Sequence, residues 1–136
     1  EAGDTVTLGS SFAVEFIHTN HSIADACCLA ITTPVGVIVH SGDFKIDPTP
    51  VEGEMTDLTR LGELGRAGVK LLMCESTNVD RSGYTPSERK VARSLEHVFL
   101  KNTDKRVVIA TFSSNVHRVQ QIIDVSAKNK RKVYNG

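Results

Sequence analysis

The sequence predicts an α/β fold, and three observations carry that expectation. Short strand-like runs fill the first forty positions, and residues 12–17 alternate with period two, as in strands with two distinct faces. After Asp43 short continuous apolar runs are separated by helically spaced ones, the rhythm of strand–helix–strand units. The length, 136 residues with 40% hydrophobic, is that of one ordinary domain able to bury a core.

The elements follow in order. Thr5–Leu8 and Phe12–Ile17 read as strands joined by Gly9-Ser10-Ser11, with Phe12, Val14 and Phe16 alternating with Ala13, Glu15 and Ile17. A polar loop from His18 to Asp25 leads to Cys27–Thr33 and Val35–Val39, a hairpin turning around Pro34 and Gly36. This opening is a β-meander. The stretch Asp47-Pro48-Thr49-Pro50 then leads to a helix near Asp57–Arg66, with Leu58, Leu61 and Leu64 inward and Gly68 as its C-terminal cap. Val69–Met73, apolar but for Lys70, reads as a strand buried on both faces.

Thr85-Pro86-Ser87-Glu88 combines a capping box with proline at the first helical position. Its helix carries Val91, Leu95, Val98 and Phe99 on one stripe. Val107–Phe112 reads as another buried strand. Ser114 then starts a helix with Val116, Val119, Ile123 and Ala127 inward, and a further strand begins at the end. The order is ββββ followed by αβαβα, the second half being right-handed crossovers that build a parallel sheet. The change of character falls in the polar loop between Asn78 and Tyr84, which suits a domain boundary.

Sixteen basic and sixteen acidic residues cancel, so net charge does not point to a polyanion partner and any nucleic-acid chemistry must be local. The basic run Lys128, Lys130, Arg131 and Lys132 reads as a solvated helix end. Cys27 and Cys28 would face opposite sides of a strand, so they cannot both ligate one metal there; with Cys74 they read as buried reduced thiols. No run of eighteen apolar residues and no leader peptide is visible, so a soluble cytoplasmic parent is expected. The chain opens in mid-pattern without methionine, as a piece of a longer protein would.

Four places can carry chemistry. His21, in a loop after a strand, and Asp43, after an apolar strand, are ligand types that zinc takes for hydrolysis; a surface histidine and a turn-forming aspartate are the plainer alternatives. Glu75 ends the run Val69–Cys74, where open α/β sheets keep their sites, or it caps a neighbouring amide. Ser113, Ser114 and Asn115 precede a helix whose free amides suit a phosphate, or a serine there caps the helix. His18 reads as structural, His40 as a support for Asp43, and His97 and His117 as surface residues.

Five segments, taken together, decide between these alternatives: Asn20-His21-Ser22-Ile23-Ala24-Asp25, Gly42-Asp43-Phe44-Lys45, Glu75-Ser76-Thr77-Asn78, Gly83-Tyr84-Thr85-Pro86-Ser87-Glu88, and Ala110 through Arg118. In order and spacing, over nearly the whole chain, the series resembles the ribonuclease J family. The resemblance implies part of a metallo-β-lactamase αββα sandwich (residues 1–80) followed by the start of a β-CASP α/β domain (residues 81–136). It implies a ribonuclease with two zinc ions per site, acting on RNA phosphodiesters as 5′-to-3′ exonuclease and endonuclease in RNA maturation and decay. RNA with a 5′-monophosphate end is the implied substrate, and the intact protein is implied to be homo-oligomeric.

By the same resemblance His21 would ligate one zinc, and Asp43 would be the carboxylate bridging both. Glu75 would be an acid that orients a catalytic histidine, and Ser113, Ser114 and Asn115 would lie near the RNA 5′-phosphate. Ala24 stands where the family usually has proline, and Glu75 where aspartate is commoner. The His-x-His-x-Asp-His motif and two later histidines of the family have no match here, so the chain alone is expected to be inactive. Two other readings compete: a metallo-β-lactamase-fold hydrolase acting on thioesters, lactams or DNA ends, and a non-catalytic scaffold piece.

Overall fold

The computed structural model describes residues 1–50 and 53–134. Four strands, β1 (Thr5–Leu8), β2 (Phe12–His18), β3 (Cys27–Thr33) and β4 (Gly36–His40), form the expected meander. Helix α1 (Leu58–Ala67) leads to β5 (Val69–Met73), and α2 (Glu88–Lys101) and α3 (Val116–Lys128) complete the chain. The sheet runs β1-β2-β3-β4-β5, every pair antiparallel except the last, which is parallel. Thr33 pairs with Gly36, so Pro34 and Val35 form a two-residue hairpin loop. The fold is mixed α/β, with one parallel pair where the sequence predicted a parallel sheet.

The core lies on one face of that sheet. Ile17, Cys28, Ala30 and Val39 sit on neighbouring strands and are covered by Leu64 of α1, with Leu61, Val37 and Val69 packed at the edge. Asp57 caps α1, accepting the N–H of Arg60 at 2.8 Å, and Gly68 closes it with φ +104°. Arg60 then pins the helix to β2 by a bidentate pair with Glu15, at 2.7 and 2.9 Å. Leu58, expected inward, is 54% exposed, although Asp57 before it is already tied to β2 by its N–H to the His18 carbonyl at 3.1 Å.

Several expectations fail for one reason: an apolar segment is buried only where a partner layer lies against it. Leu71, Leu72 and Met73 are exposed, because β5 is the sheet edge and no described strand or helix covers its outer side. Residues 107–112 form no strand; Val108 is 87% and Phe112 84% exposed, and no described strand offers them a ladder. Residues 131–134 are likewise not a strand, and the rest of that predicted element, up to Gly136, lies outside the described residues. Cys28 is buried, Cys27 half-buried and Cys74, just past the edge strand, exposed; all three are free thiols.

Helices α2 and α3 pack on each other around Phe99 and Val125, and the Arg131 guanidinium lies 5.5 Å over the Phe99 ring. The buried face of α3 is Gln121, Ile122, Val125 and Ser126, whereas Val116, Val119, Ile123 and Ala127 face outward. Arg118 accounts for that rotation. It shares a face with Gln121, Ile122 and Val125 at helical spacing and is paired with Glu88 of α2 at 2.7 Å.

A polar seam ties this helical pair to the sheet. Asp47, 4% exposed, accepts the N–H of Thr49 at 2.9 Å and the N–H of Glu88 at 3.1 Å. Its charge thereby meets the positive end of α2. Ser87, not Thr85, is the N-cap: its hydroxyl accepts the Arg89 N–H at 3.2 Å and bonds the Thr49 carbonyl at 3.0 Å. Pro86 precedes the cap, and the Glu88 side chain serves Lys45 and Arg118 instead of closing a capping box. Burial alone would raise the Asp47 carboxyl, but the Thr49 and Glu88 amides, Ser87 and Lys45 together hold it below the usual range. Glu88 behaves alike, Arg118 and Lys45 outweighing its desolvation.

Two outcomes follow. Leu64→Ala opens the α1–sheet contact and is expected to lower unfolding free energy by about 2–3 kcal/mol, whereas Leu58→Ala stays within about 0.5 kcal/mol; urea titration of both separates them. Because Asp47 and Glu88 have depressed folded pKa values, their contribution is whole above the ordinary values of 3.8 and 4.5 and is lost as pH falls through the lower folded ones. Thermal melts between pH 7 and 2.5 should therefore show a fall below about pH 4 that Asp47→Asn flattens.

Candidate active-site cleft

A cleft of about 700 Å³ opens beyond the carboxyl ends of β4 and β5. His21, Asp43, Glu75 and Asn115, which the sequence singles out in four separate segments, all line it. Ser113 and Ser114 do not; they are exposed on the turn before α3. Lys45, Glu88 and His117 line it as well.

Ser41 brings the two carboxylates together. Its backbone N–H donates to the Met73 carbonyl at 2.9 Å, extending the parallel ladder, and its hydroxyl accepts the Glu75 N–H at 3.0 Å. The chain then turns at Gly42, φ +58°, where an added Cβ would stand 3.0 Å from the Cys27 carbonyl oxygen. Only glycine makes this turn without strain, and it delivers Asp43 to the cleft. His40 supports the turn, its Nδ1 accepting the Gly42 N–H at 3.1 Å.

Glu75 faces back across the strand ends. Its carboxylate accepts the Phe44 N–H at 2.8 Å. The Thr77 hydroxyl first, and then that amide, hold its carboxyl below the usual range against some desolvation, and the neighbouring His21 adds to the effect. Glu75 is therefore an ionised acceptor tied to the segment that bears Asp43.

His21 is held through Asn20. The Asn20 amide donates to the Glu54 carbonyl at 2.6 Å and accepts the Thr56 N–H at 3.1 Å, while its backbone carbonyl accepts the Lys45 N–H at 2.7 Å. Buried Thr19 and Thr56 back this clamp. His21 Nδ1 is buried and has no hydrogen-bond partner among the described residues. His18, as expected, has a structural role, bonding the Glu54 carbonyl at 3.0 Å.

On the opposite wall Asn115, not a serine, caps α3, its side chain accepting the Arg118 N–H at 3.0 Å. His117 follows in the first turn and is half-buried against the cleft, so it is not the surface residue predicted; His97 is exposed. The place of His117 inside the segment Ala110 to Arg118 was the available signal, and Lys45 and Glu88 likewise close the segments Gly42–Lys45 and Gly83–Glu88. Their ion-pair partners are distant in sequence, so local pattern does not show that they join the cleft.

The donors suit a metal in kind but not in number. An orphaned imidazole nitrogen and a nearby carboxylate are zinc ligands. Yet no group of three or more His, Cys, Asp and Glu among the described residues could hold a metal ion. A zinc centre at this cleft needs further donors. None of the described helices is long and apolar enough to cross a membrane.

Comparison with known proteins places the chain. A family profile described as ribonuclease J, beta-CASP domain, matches residues 104–136. Ribonuclease J of Synechocystis is 51% identical over 130 residues, covering 96% of this chain and 20% of that protein. Ribonuclease J of Helicobacter pylori is 50% identical over 122 residues (90% of the chain, 18% of the relative), and that of Thermus thermophilus 42% over 130 (96% and 22%). The chain thus spans about a fifth of the length of the curated relatives it matches. A crystal structure of a protein of unknown function from Enterococcus faecalis superposes with TM-score 0.69 at 22% identity, over 91% of this chain and 30% of that one, and so shares its fold. Over 90% or more of its length the chain is thus similar, at 42% to 51% identity, to a segment of ribonuclease J proteins.

Proposed function

We propose that the parent protein is a zinc-dependent ribonuclease hydrolysing RNA phosphodiesters, as 5′-to-3′ exonuclease and endonuclease, and that this chain forms part of its active site. The observation that carries the reading is the convergence of His21, Asp43, Glu75 and Asn115 on one cleft, in a chain 42% to 51% identical to proteins named ribonuclease J. In this reading His21 Nδ1 and Asp43 are two ligands of a two-zinc site completed by donors elsewhere in the protein. Zinc, when bound, supplies an activated water and neutralises charge at the scissile phosphate. Glu75 keeps its negative charge and orients the groups around it. With two donors, the 136 residues alone are inactive.

Residues 1–80 then belong to the metallo-β-lactamase core and residues 81–136 to the start of the β-CASP domain. In support, the sheet is apolar on both faces while α1 covers only one. Val14, Phe16, Leu29, Ile31 and Ile38 are half-buried on the other, the face on which a second sheet of an αββα sandwich would pack. The unpaired apolar segment 107–112 awaits a β-CASP sheet in the same way. The profile match falls wholly within 81–136. The reading carries with it a cytoplasmic, homo-oligomeric parent.

In the full-length protein His21→Ala and Asp43→Ala are each expected to abolish RNA cleavage, with Asp43→Ala depleting both metals. Elemental analysis checks this, and full zinc occupancy in Asp43→Ala would sink the assignment. Ser113→Ala and Ser114→Ala are expected to reduce the preference for 5′-monophosphate over 5′-hydroxyl RNA roughly tenfold. Melting temperatures should hold in both, since Asn115 is the cap. Matched substrates and thermal melts decide; an unchanged preference removes these serines from the site.

A further inference from the structure

The two walls of the cleft come from different parts of the chain, and one side chain touches both. Glu88 Oε1 accepts from Lys45 Nζ at 3.1 Å, and Lys45 lies two residues beyond Asp43. Glu88 Oε2 accepts from Arg118 Nη2 at 2.7 Å and Nε at 3.2 Å. Arg118 follows His117 directly, and its backbone N–H is held by Asn115 at 3.0 Å. The Glu88 backbone is fixed as well, its N–H donating to the buried Asp47 at 3.1 Å. Glu88 therefore cannot shift without moving the Asp43 segment, the start of α3, or both.

We propose that Glu88 is the positioning residue of this cleft. It sets the separation of the wall bearing His21, Asp43 and Glu75 from the wall bearing Asn115 and His117. Only a carboxylate of this length does so. Each of its two oxygens receives a cation, whereas glutamine would turn a donor toward one of them and aspartate falls a methylene short. Helix capping does not explain the contact, because Ser87 and Asp47 already serve the start of α2. The proposal rests on the cleft being the RNA-cleaving site.

The test uses the full-length enzyme with Glu88→Gln, Arg118→Met, the double variant, and His21→Ala alongside. Glu88→Gln is expected to lower kcat/KM on RNA by roughly tenfold to a hundredfold. Its zinc content should stay at the wild-type level, and amide exchange across residues 113–118 should quicken well below the melting temperature. The double variant should lose no more than the worse single one, because both remove the same contact. Wild-type kinetics and exchange in folded Glu88→Gln, or losses that multiply in the double variant, overturn the proposal. Should Glu88→Gln fail to fold, Arg118→Met leaves Lys45 and Asp47 in place and reports the same two quantities. The underlying reading fails separately: wild-type cleavage by His21→Ala removes the cleft as the RNA site, while exchange at 113–118 still reports on the clamp.

Discussion

The parallel pairing of β4 with β5, closed by Ser41, is the constraint on which the site depends. A parallel pair needs a crossover, and α1 is that crossover; covering it leaves one face of the sheet dry around Ile17, Ala30 and Val39. The same pairing puts two strand ends side by side. Ser41 then bonds both, and the two turns that follow deliver Asp43 and Glu75 into one crevice. Without the ladder the two carboxylates would be separate loop residues.

Cohesion in this chain is of two kinds. Around Leu64 it is apolar and non-directional, supplying stability in proportion to area removed from water. Between the sheet and the α2–α3 pair it is polar: Asp47, Thr49, Ser87, Lys45, Glu88 and Arg118 satisfy one another across the seam. Such pairs add modest net stability, since desolvation offsets much of their attraction. They are directional, however, and fix the register of one unit on the other. That suits a cleft whose walls must stay at a set distance.

Legibility in the sequence followed the range of the interactions. The meander, the hairpin at Pro34-Val35, the cap at Gly68 and the three helices are set by neighbours within a few residues, and all are found nearly where periodicity puts them. Burial was legible only where a partner exists. Val69–Met73 and residues 107–112 have the composition of buried strands, yet the first is a sheet edge and the second forms no ladder. The outward stripe of α3 is similar: apolar spacing marks the face that seeks a partner, and the Arg118–Glu88 pair marks the face that has one.

For the site, local pattern picked out the candidates His21, Asp43, Glu75, Ser113, Ser114 and Asn115, which stand after strands or at a helix start; of these the two serines lie outside the cleft. That the other four meet was implied only by the family resemblance; local pattern does not show it, because each lies on a different element and their convergence depends on sheet order. The tertiary structure decided that, and it decided three things more. Asn115 rather than a serine caps α3, His117 turns into the cleft, and Glu88 leaves the capping box to join Lys45 and Arg118. Each of these depends on a charge or amide brought close from a distant segment, and hydrogen bonds and ion pairs act only over the few ångströms that the folded chain alone sets.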